Sequence, residues 1–477
     1  MAVKEYPFFL AGEFAGGGEP LAVRSPYDGA VVGTTTIPTQ EQVERAVQAA
    51  VTGFEQTRRL SSEERANILV RIRDGIAARK DDFIRVIVLE AGKPWKDASA
   101  EVDRALHNLE VASEEAKRIG GEIVPLDLRE HSRGRLGFIR RFPIGPIAAI
   151  SPFNFPLNLP LHKIGPAIAS GNTIVLKPAA KTPLSVLTLA EVIAEAGVPP
   201  GMISILPMTG AMAEKALVQE DRFKMLTFTG SAEVGWRLKT LAGKKKVTLE
   251  LGGNAACIVD RDANTEYAVK RIAQGGYVYA GQSCISVQRA YVHAQVFERV
   301  AEEITAAVRA LKTGDPMDPQ TDVGPMINEE AAGKTARAIA DAVSAGAKLL
   351  TGGKASGPFL EPTVLAGVPD ASPVCQGEIF APVIMLSPFD DFREAVARAN
   401  DSQFGLQAGV FTGSLENALY AFDHLEVGGV IINDVPTYRT DPMPYGGVKD
   451  SGMGREGARF AIEEMTEMRL MVVNRLD

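Results

Sequence analysis

The sequence predicts an α/β protein built on parallel sheets, and three observations carry that reading. From Ile147 onward, short apolar segments (IAAIS at Ile147, TIVLK at Thr173, ISILP at Ile203, MLTF at Met225, KVTLEL at Lys246) alternate with helical stretches such as Pro183 to Ala196. Short strands separated by helices need crossover connections, which make parallel sheets and are right-handed almost without exception. A second run of the same kind starts at Ala255 (AACIVD) and continues past Val430 (VIIND). A chain of 477 residues is also too long for one core, so two or three lobes with a cleft between them are expected.

Ahead of the first run, a leading hairpin-like segment carries a Gly16-Gly17-Gly18 turn. Thr39 begins a helix, with Gln42 completing a capping box and Val43, Ala46, Val47 and Ala50 as its inner face. Ser61 with Glu64 caps a second helix, whose apolar stripe runs Ile68, Leu69, Ile72, Ile76, and Asp97 to Ala116 reads as the third. Leu136 to Arg141, followed by FPIGP, is strand-like with charged ends, which suits an arm outside the main core. There is no internal repeat and no low-complexity tract.

Composition removes several function classes. Hydrophobic residues at 45% and charged residues at 23% exclude disordered and fibrous chains. The net charge is −8 with no basic block, so neither a nucleic-acid footprint nor attraction to an anionic membrane surface is expected. Cys257, Cys284 and Cys375 make no disulfide framework and sit in none of the paired spacings of a zinc site, so no metal is expected and the compartment reads as reducing. Lys4 and Glu5 precede an apolar run too short for a signal-peptide core, and prolines, Asn154, Asn158, His162 and Lys163 break the apolar region Ile147 to Leu176. A cytoplasmic protein is expected.

The residues that bear chemistry fall at strand ends and in loops. Cys284, in YVYAGQSCISVQR, sits among small and polar neighbours that leave room for a substrate and for exposed backbone N–H groups. It reads as a nucleophile, the alternative being a buried loop cysteine. Gly230 ends a strand in FTGSAEVG, with Ser231 at a helix N-cap, where a phosphate fits, although these residues by themselves read first as a plain capped helix. Lys177 closes a strand, where a cation meets a ribose or phosphate oxygen or is merely solvated. Glu250, in TLELGGN, lies in a tight place whose burial would raise its pKa and suit it to general-base work, unless backbone N–H groups hold it as a carboxylate. Asn154, in PFNFP, offers a neutral amide on a stiff turn, as an oxyanion site requires, although an Asx turn would also place an asparagine there.

Together with Cys284 these segments resemble the aldehyde dehydrogenase superfamily over almost the whole chain. PFNFP at Pro152, LKPA at Leu176, FTGS at Phe228, LELGG at Leu249, GQSC at Gly281, EIFAP at Glu378 and PYGGVKDSGMGREG at Pro444 carry the resemblance. It implies NAD(P)-dependent oxidation of an aldehyde to a carboxylate through a thioester on Cys284, with the Asn154 amide and the Cys284 N–H holding the oxyanion. It further implies that Glu250 activates the hydrolytic water, that Lys177 and Glu378 bind the two riboses, that Ser231 meets the pyrophosphate and that Phe380 packs near the nicotinamide. Lys163 and Glu456 match positions that relay protons in some members. Because Glu250 is present, the chain looks hydrolytic; an acyl-transferring, coenzyme A-dependent dehydrogenase and a non-catalytic binding protein of the same fold are the alternatives.

Where many NAD-preferring relatives carry a glutamate, this chain has Ala180 and then Lys181, so NADP is permitted beside NAD. For the substrate, Arg104 and Asn108 lie one helical turn apart on the helix that lines the tunnel in this family, and His162 and Arg439 approach its mouth. Cations there suit a small anionic or hydroxylated aldehyde, and GQSCISVQR is similar to the lactaldehyde and phosphonoacetaldehyde dehydrogenase-like branch; a surface pair between Arg104 and Glu101 is the competing reading. The implied architecture is a Rossmann-like cofactor domain (1–126 and 144–253), an α/β catalytic domain (254–460) and a small β oligomerisation arm (127–143 and 461–477) that pairs copies into a homodimer or homotetramer.

Overall fold

Strands buried on both faces read as unbroken apolar runs, and five such runs form the parallel centre of the first sheet in a computed structural model that describes residues 3–475. The outermost positions of the expected cofactor domain and arm, 1–2 and 476–477, lie outside the described residues. The five strands stand in the order Ile203–Ile205, Ile174–Lys177, Ile147–Ile150, Met225–Thr229, Lys246–Glu250, each parallel to its neighbour. The chain moves outward from Ile147–Ile150 to Ile203–Ile205 and then returns to Met225–Thr229. The strand order therefore reverses between Ile147–Ile150 and Met225–Thr229, and ligands of open α/β sheets bind beyond the carboxyl ends at such a point. PFNFP follows one of these two strands and Gly230-Ser231 the other.

Four helices precede this sheet: α1 (Gln40–Thr57), α2 (Ser62–Ala78), α3 (Lys80–Ala91) and α4 (Trp95–Ala116). Thr39 and Ser61 both form complete capping boxes. The helix expected as third is the fourth and begins at Trp95. The sequence conceals α3 because one residue, Arg79 (φ −120°), serves as both the end of α2 and the start of α3, with no glycine or proline to mark the break. The leading hairpin also differs from expectation. It turns at Ala11-Gly12, and Gly16–Gly18 instead passes the chain to a second hairpin, Glu19–Arg24 with Val31–Ile37. Helices α5 (Asn158–Ser170) and α6 (Leu184–Glu195) then cover the parallel sheet, with every side chain of α5 buried.

The second sheet runs Lys348–Thr351, Thr363–Ala366, Val383–Phe389, Arg289–His293, Ala256–Val259, Gln407–Phe411, Gly429–Ile432, parallel except at its first strand. A separate antiparallel sheet joins Thr466–Asn474 to Arg135–Pro143 and Arg135–Pro143 to Gly121–Pro125. This arm recruits Gly121–Pro125, upstream of its expected start, because that segment supplies the pairing partner for the free edge of Arg135–Pro143. Met468, Leu470, Met471, Val472 and Val473 are exposed along its outer strand. Among the described residues no helix is long and apolar enough to cross a membrane.

Candidate active site

The helix Thr265–Tyr277 ends ahead of Cys284, and the chain then takes left-handed backbone at Tyr279 (φ 49°), Ala280 (51°) and Gly281 (67°). For the two non-glycine residues this costs about 1–2 kcal/mol each, strain that must be held by surrounding contacts. Gly253 closes the approach from the first sheet: a Cβ there would stand 2.1 Å from the Cys284 carbonyl, so only glycine lets the end of LELGG lie against the cysteine loop.

A cavity of about 350 Å³ opens at this junction, and its wall includes Cys284, Asn154, Glu250, Glu378, Phe380 and Glu456, with Gly230, Ser231, Arg104 and Arg439. Asn154 Nδ2 donates to the Gln282 carbonyl at 3.1 Å, which aims the amide at the cysteine loop and leaves its second N–H free. Cys284 Sγ lies 3.0 Å from the Tyr445 hydroxyl. Burial pushes the Cys284 thiol up to about 12, against the lowering effect of that hydrogen bond. Glu250 is buried with neither carboxyl oxygen hydrogen-bonded among the described residues, so no backbone N–H holds it as a carboxylate. Burial first, and the Glu456 charge second, raise its pKa well above the usual range, while Arg439 and Lys163 oppose them.

Behind the cavity runs a buried chain of charges. Lys163 Nζ donates to Glu456 at 3.1 Å and to Thr229 and Thr227 at 2.7 and 3.2 Å. The Arg439 guanidinium reaches Glu456 at 3.2 Å and His162 Nδ1 at 3.1 Å. His162 Nε2 and Arg104 then meet Asp441 at 3.4 and 3.6 Å. Burial, followed by Arg439, Arg104 and Lys163, keeps the His162 pKa well below its ordinary value, so the ring is neutral near pH 7.

Lys163 and His162 therefore stand behind the wall rather than in it, and Asn108 is absent from it. The short Asn108 side chain stays where α4 packs on α5, since a Cβ at Gly165 would meet its Oδ1 at 3.5 Å, whereas the longer Arg104 reaches the cavity. Arg104 pairs with Asp441, and Glu101 is taken by Lys93. Tyr445 and Asp441 were not identified from sequence. Tyr445 belongs to the PYGG segment already quoted, but nothing in spacing or composition ties that ring to Cys284.

The remaining residues fit a nicotinamide dinucleotide. Ser231 occupies the N-cap of the helix Ala232–Leu241, but its hydroxyl makes no capping bond and stays free for a phosphate oxygen. Among the described residues Lys177 Nζ donates only to the Pro178 carbonyl, and burial brings its pKa down to about 8. Glu378 accepts one bond from the Gly253 N–H, and burial pushes its carboxyl up to about 7. Phe380 holds a left-handed φ of 51° and packs edge-on to Phe153. Ala180 and Lys181 are exposed beyond Lys177.

Residues 14–471 match the Aldehyde dehydrogenase family. The chain belongs to that family. The enzyme is thus an NAD(P)-dependent aldehyde dehydrogenase. It is 42% identical over 472 residues to the 3-sulfolactaldehyde dehydrogenase of Priestia aryabhattai, covering 99% of this chain and 98% of the relative. It is 36% identical over 470 residues to the lactaldehyde dehydrogenase of Methanococcus aeolicus, covering 98% and 99%. Among solved structures it is similar to aldehyde dehydrogenase 21 from Physcomitrella patens in complex with the reaction product succinate, with a TM-score of 0.98, 43% identity and coverage of 100% and 99%.

Proposed function

We propose that this dehydrogenase oxidises a small aldehyde bearing an anionic group, with or without a hydroxyl, and releases the free carboxylate by hydrolysis. The observation that carries the reading is a pair of guanidinium groups on the wall that holds Cys284. Arg104 Nε and one terminal nitrogen, and Arg439 Nε, are buried without hydrogen-bond partners among the described residues. Burial lowers the Arg104 pKa, and the Arg439 charge lowers it further, so the two cations repel each other. An anionic substrate supplies the missing acceptors and relieves that repulsion. The names of the sulfolactaldehyde and lactaldehyde relatives and the succinate bound to the plant neighbour point to the same class.

In this reading Cys284 Sγ releases its proton to solvent and forms the C–S bond to the aldehyde carbon as the carbonyl π bond opens. The carbonyl oxygen becomes an oxyanion held by the Cys284 N–H and the free N–H of Asn154. Each such fixed donor contributes about 3 kcal/mol. A nicotinamide dinucleotide, when bound, supplies the hydride acceptor; Lys177 and Glu378 would hold its riboses and Ser231 its pyrophosphate. Glu250 takes a proton from the water that attacks the thioester, the C–S bond breaks, and the thiolate leaves. Lys163 and Glu456, joined by a hydrogen bond of 3.1 Å, would carry that proton onward.

The apolar outer strand of the arm supports pairing of copies into a dimer or tetramer, and the charge of −8 argues against nucleic acid as a partner. The three free cysteines suit the cytoplasm.

The test is a panel of sulfonated, carboxylated, hydroxylated and neutral aldehydes of matched length, assayed with NAD and with NADP, with and without coenzyme A. The expected result is at least about tenfold higher kcat/KM for the anionic members, free acid as product, and turnover with NADP. Equal rates for neutral and anionic aldehydes would remove the substrate assignment, and a thioester product would remove the hydrolytic one.

A further inference from the structure

Lys93 and Glu101 are both buried to exclusion of water and form an ion pair on which the mechanism above makes no demand. Neither lines the cavity. The Lys93 ammonium donates to one carboxylate oxygen of Glu101 and sits over two rings, 3.9 Å from the Phe155 centroid and 4.5 Å from the Tyr279 centroid. The other Glu101 oxygen accepts the N–H groups of Leu157 and Asn158 at 3.0 and 3.1 Å, at the start of α5.

The two rings belong to the two loops that carry Asn154 and Cys284. Phe155 follows Asn154 directly. Tyr279 is the first left-handed residue before Cys284; its N–H donates to Asp97 at 2.9 Å, and its hydroxyl donates to the Ala91 carbonyl at 2.8 Å. The Tyr279 carbonyl accepts the Gln282 N–H at 3.0 Å, and the Gln282 carbonyl accepts from Asn154 at 3.1 Å. Contacts thus run in a closed circuit, from Lys93 through Phe155 to Asn154, across to Gln282, and back through Tyr279 to Lys93.

A buried ion pair is a poor way to gain stability, because well-packed apolar residues of the same volume commonly serve as well or better. It does supply direction. We propose that the Lys93–Glu101 pair is a positioning device for the oxyanion site: it fixes Phe155 and Tyr279 on opposite sides of one cation and so sets the Asn154 amide against the Cys284 backbone N–H. Asp97 assists by holding the strained turn at Tyr279. The proposal rests on the role given above to Asn154.

The test is kcat for Lys93→Met measured in the parent and in an Asn154→Ala background. In the parent, kcat falls about 10- to 100-fold, as expected of a misplaced donor, while KM for the dinucleotide stays within about twofold. In the Asn154→Ala background the same substitution costs less than about threefold, because the donor it positions is already gone. Retention of parental kcat by Lys93→Met, or losses that multiply in full, would overturn the proposal. Where Lys93→Met fails to fold because Glu101 is left alone, Lys93→Met/Glu101→Gln buries no lone charge and is read in the same way. Failure of that neutral pair to fold would make the pair a stability element and end the proposal. Asn154→Ala with parental kcat removes the oxyanion assignment itself; an impaired Asn154→Ala beside an unimpaired Lys93→Met removes only the inference drawn from the pair.

Discussion

The Tyr445 hydroxyl lies 3.0 Å from Cys284 Sγ, and the Arg439 guanidinium stacks 3.5 Å from the centroid of the same tyrosine ring. Burial pushes the thiol up to about 12 and the hydroxyl counters it, so the thiolate fraction is small at neutral pH and grows about tenfold per pH unit. Alkylation of Cys284 by iodoacetamide, followed by mass spectrometry, should accelerate continuously from pH 7 to 10. Tyr445→Phe removes the donor and should slow alkylation by about tenfold at any pH in that range. A rate that levels off near neutrality would contradict the raised thiol.

Among the described residues Glu250 has no hydrogen-bond partner, and it shares the cavity wall with the sulfur it is proposed to serve. Glu250→Gln should leave acylation largely intact and slow hydrolysis, giving a burst of reduced dinucleotide and then turnover reduced by about 10²- to 10⁴-fold. Stopped-flow absorbance checks this. An unchanged steady-state rate would remove the general-base role.

Arg104 is the more exposed of the two cavity guanidiniums, and among the described residues its ion-pair partner is Asp441 at 3.6 Å. Arg104→Ala should raise KM for anionic aldehydes by about 10- to 100-fold, with little change for neutral ones, since one charged hydrogen bond is lost. Equal effects on both classes would point to a structural role instead.

Glu378 has a carboxyl pushed up to about 7 by burial, so it is protonated below that pH and ionised above it. Only the carboxylate is a pure acceptor for ribose hydroxyls. KM for the dinucleotide should therefore fall as pH rises from 6 to 8, and Glu378→Gln should flatten the profile. A KM independent of pH in the parent enzyme would disconnect Glu378 from cofactor binding.

Much of the fold was legible because it is written in local patterns. The strands at Ile147, Thr173, Ile203, Met225 and Lys246 declared themselves as apolar runs, and Thr39 and Ser61 carried their caps with them. Helix α3 escaped because Arg79 ends one helix and starts the next without a breaker. Asn108 was read with Arg104 from their spacing on the helix that the resemblance places along the tunnel, yet reach separates them: of the two, the longer side chain enters the cavity.

From the residues alone came the alternation of strand and helix, the family, and the kinds of chemistry on offer: a thiol, an amide, carboxylates and cations at loop positions. Which of them face one another was decided only by tertiary packing. Asn154 meets Gln282 across 128 residues, and Cys284 meets Tyr445 across 161. Periodicity reports whether a side chain is buried, a local property. Its partner, and the pKa that burial and neighbouring charge then impose, depend on distant segments brought together in space.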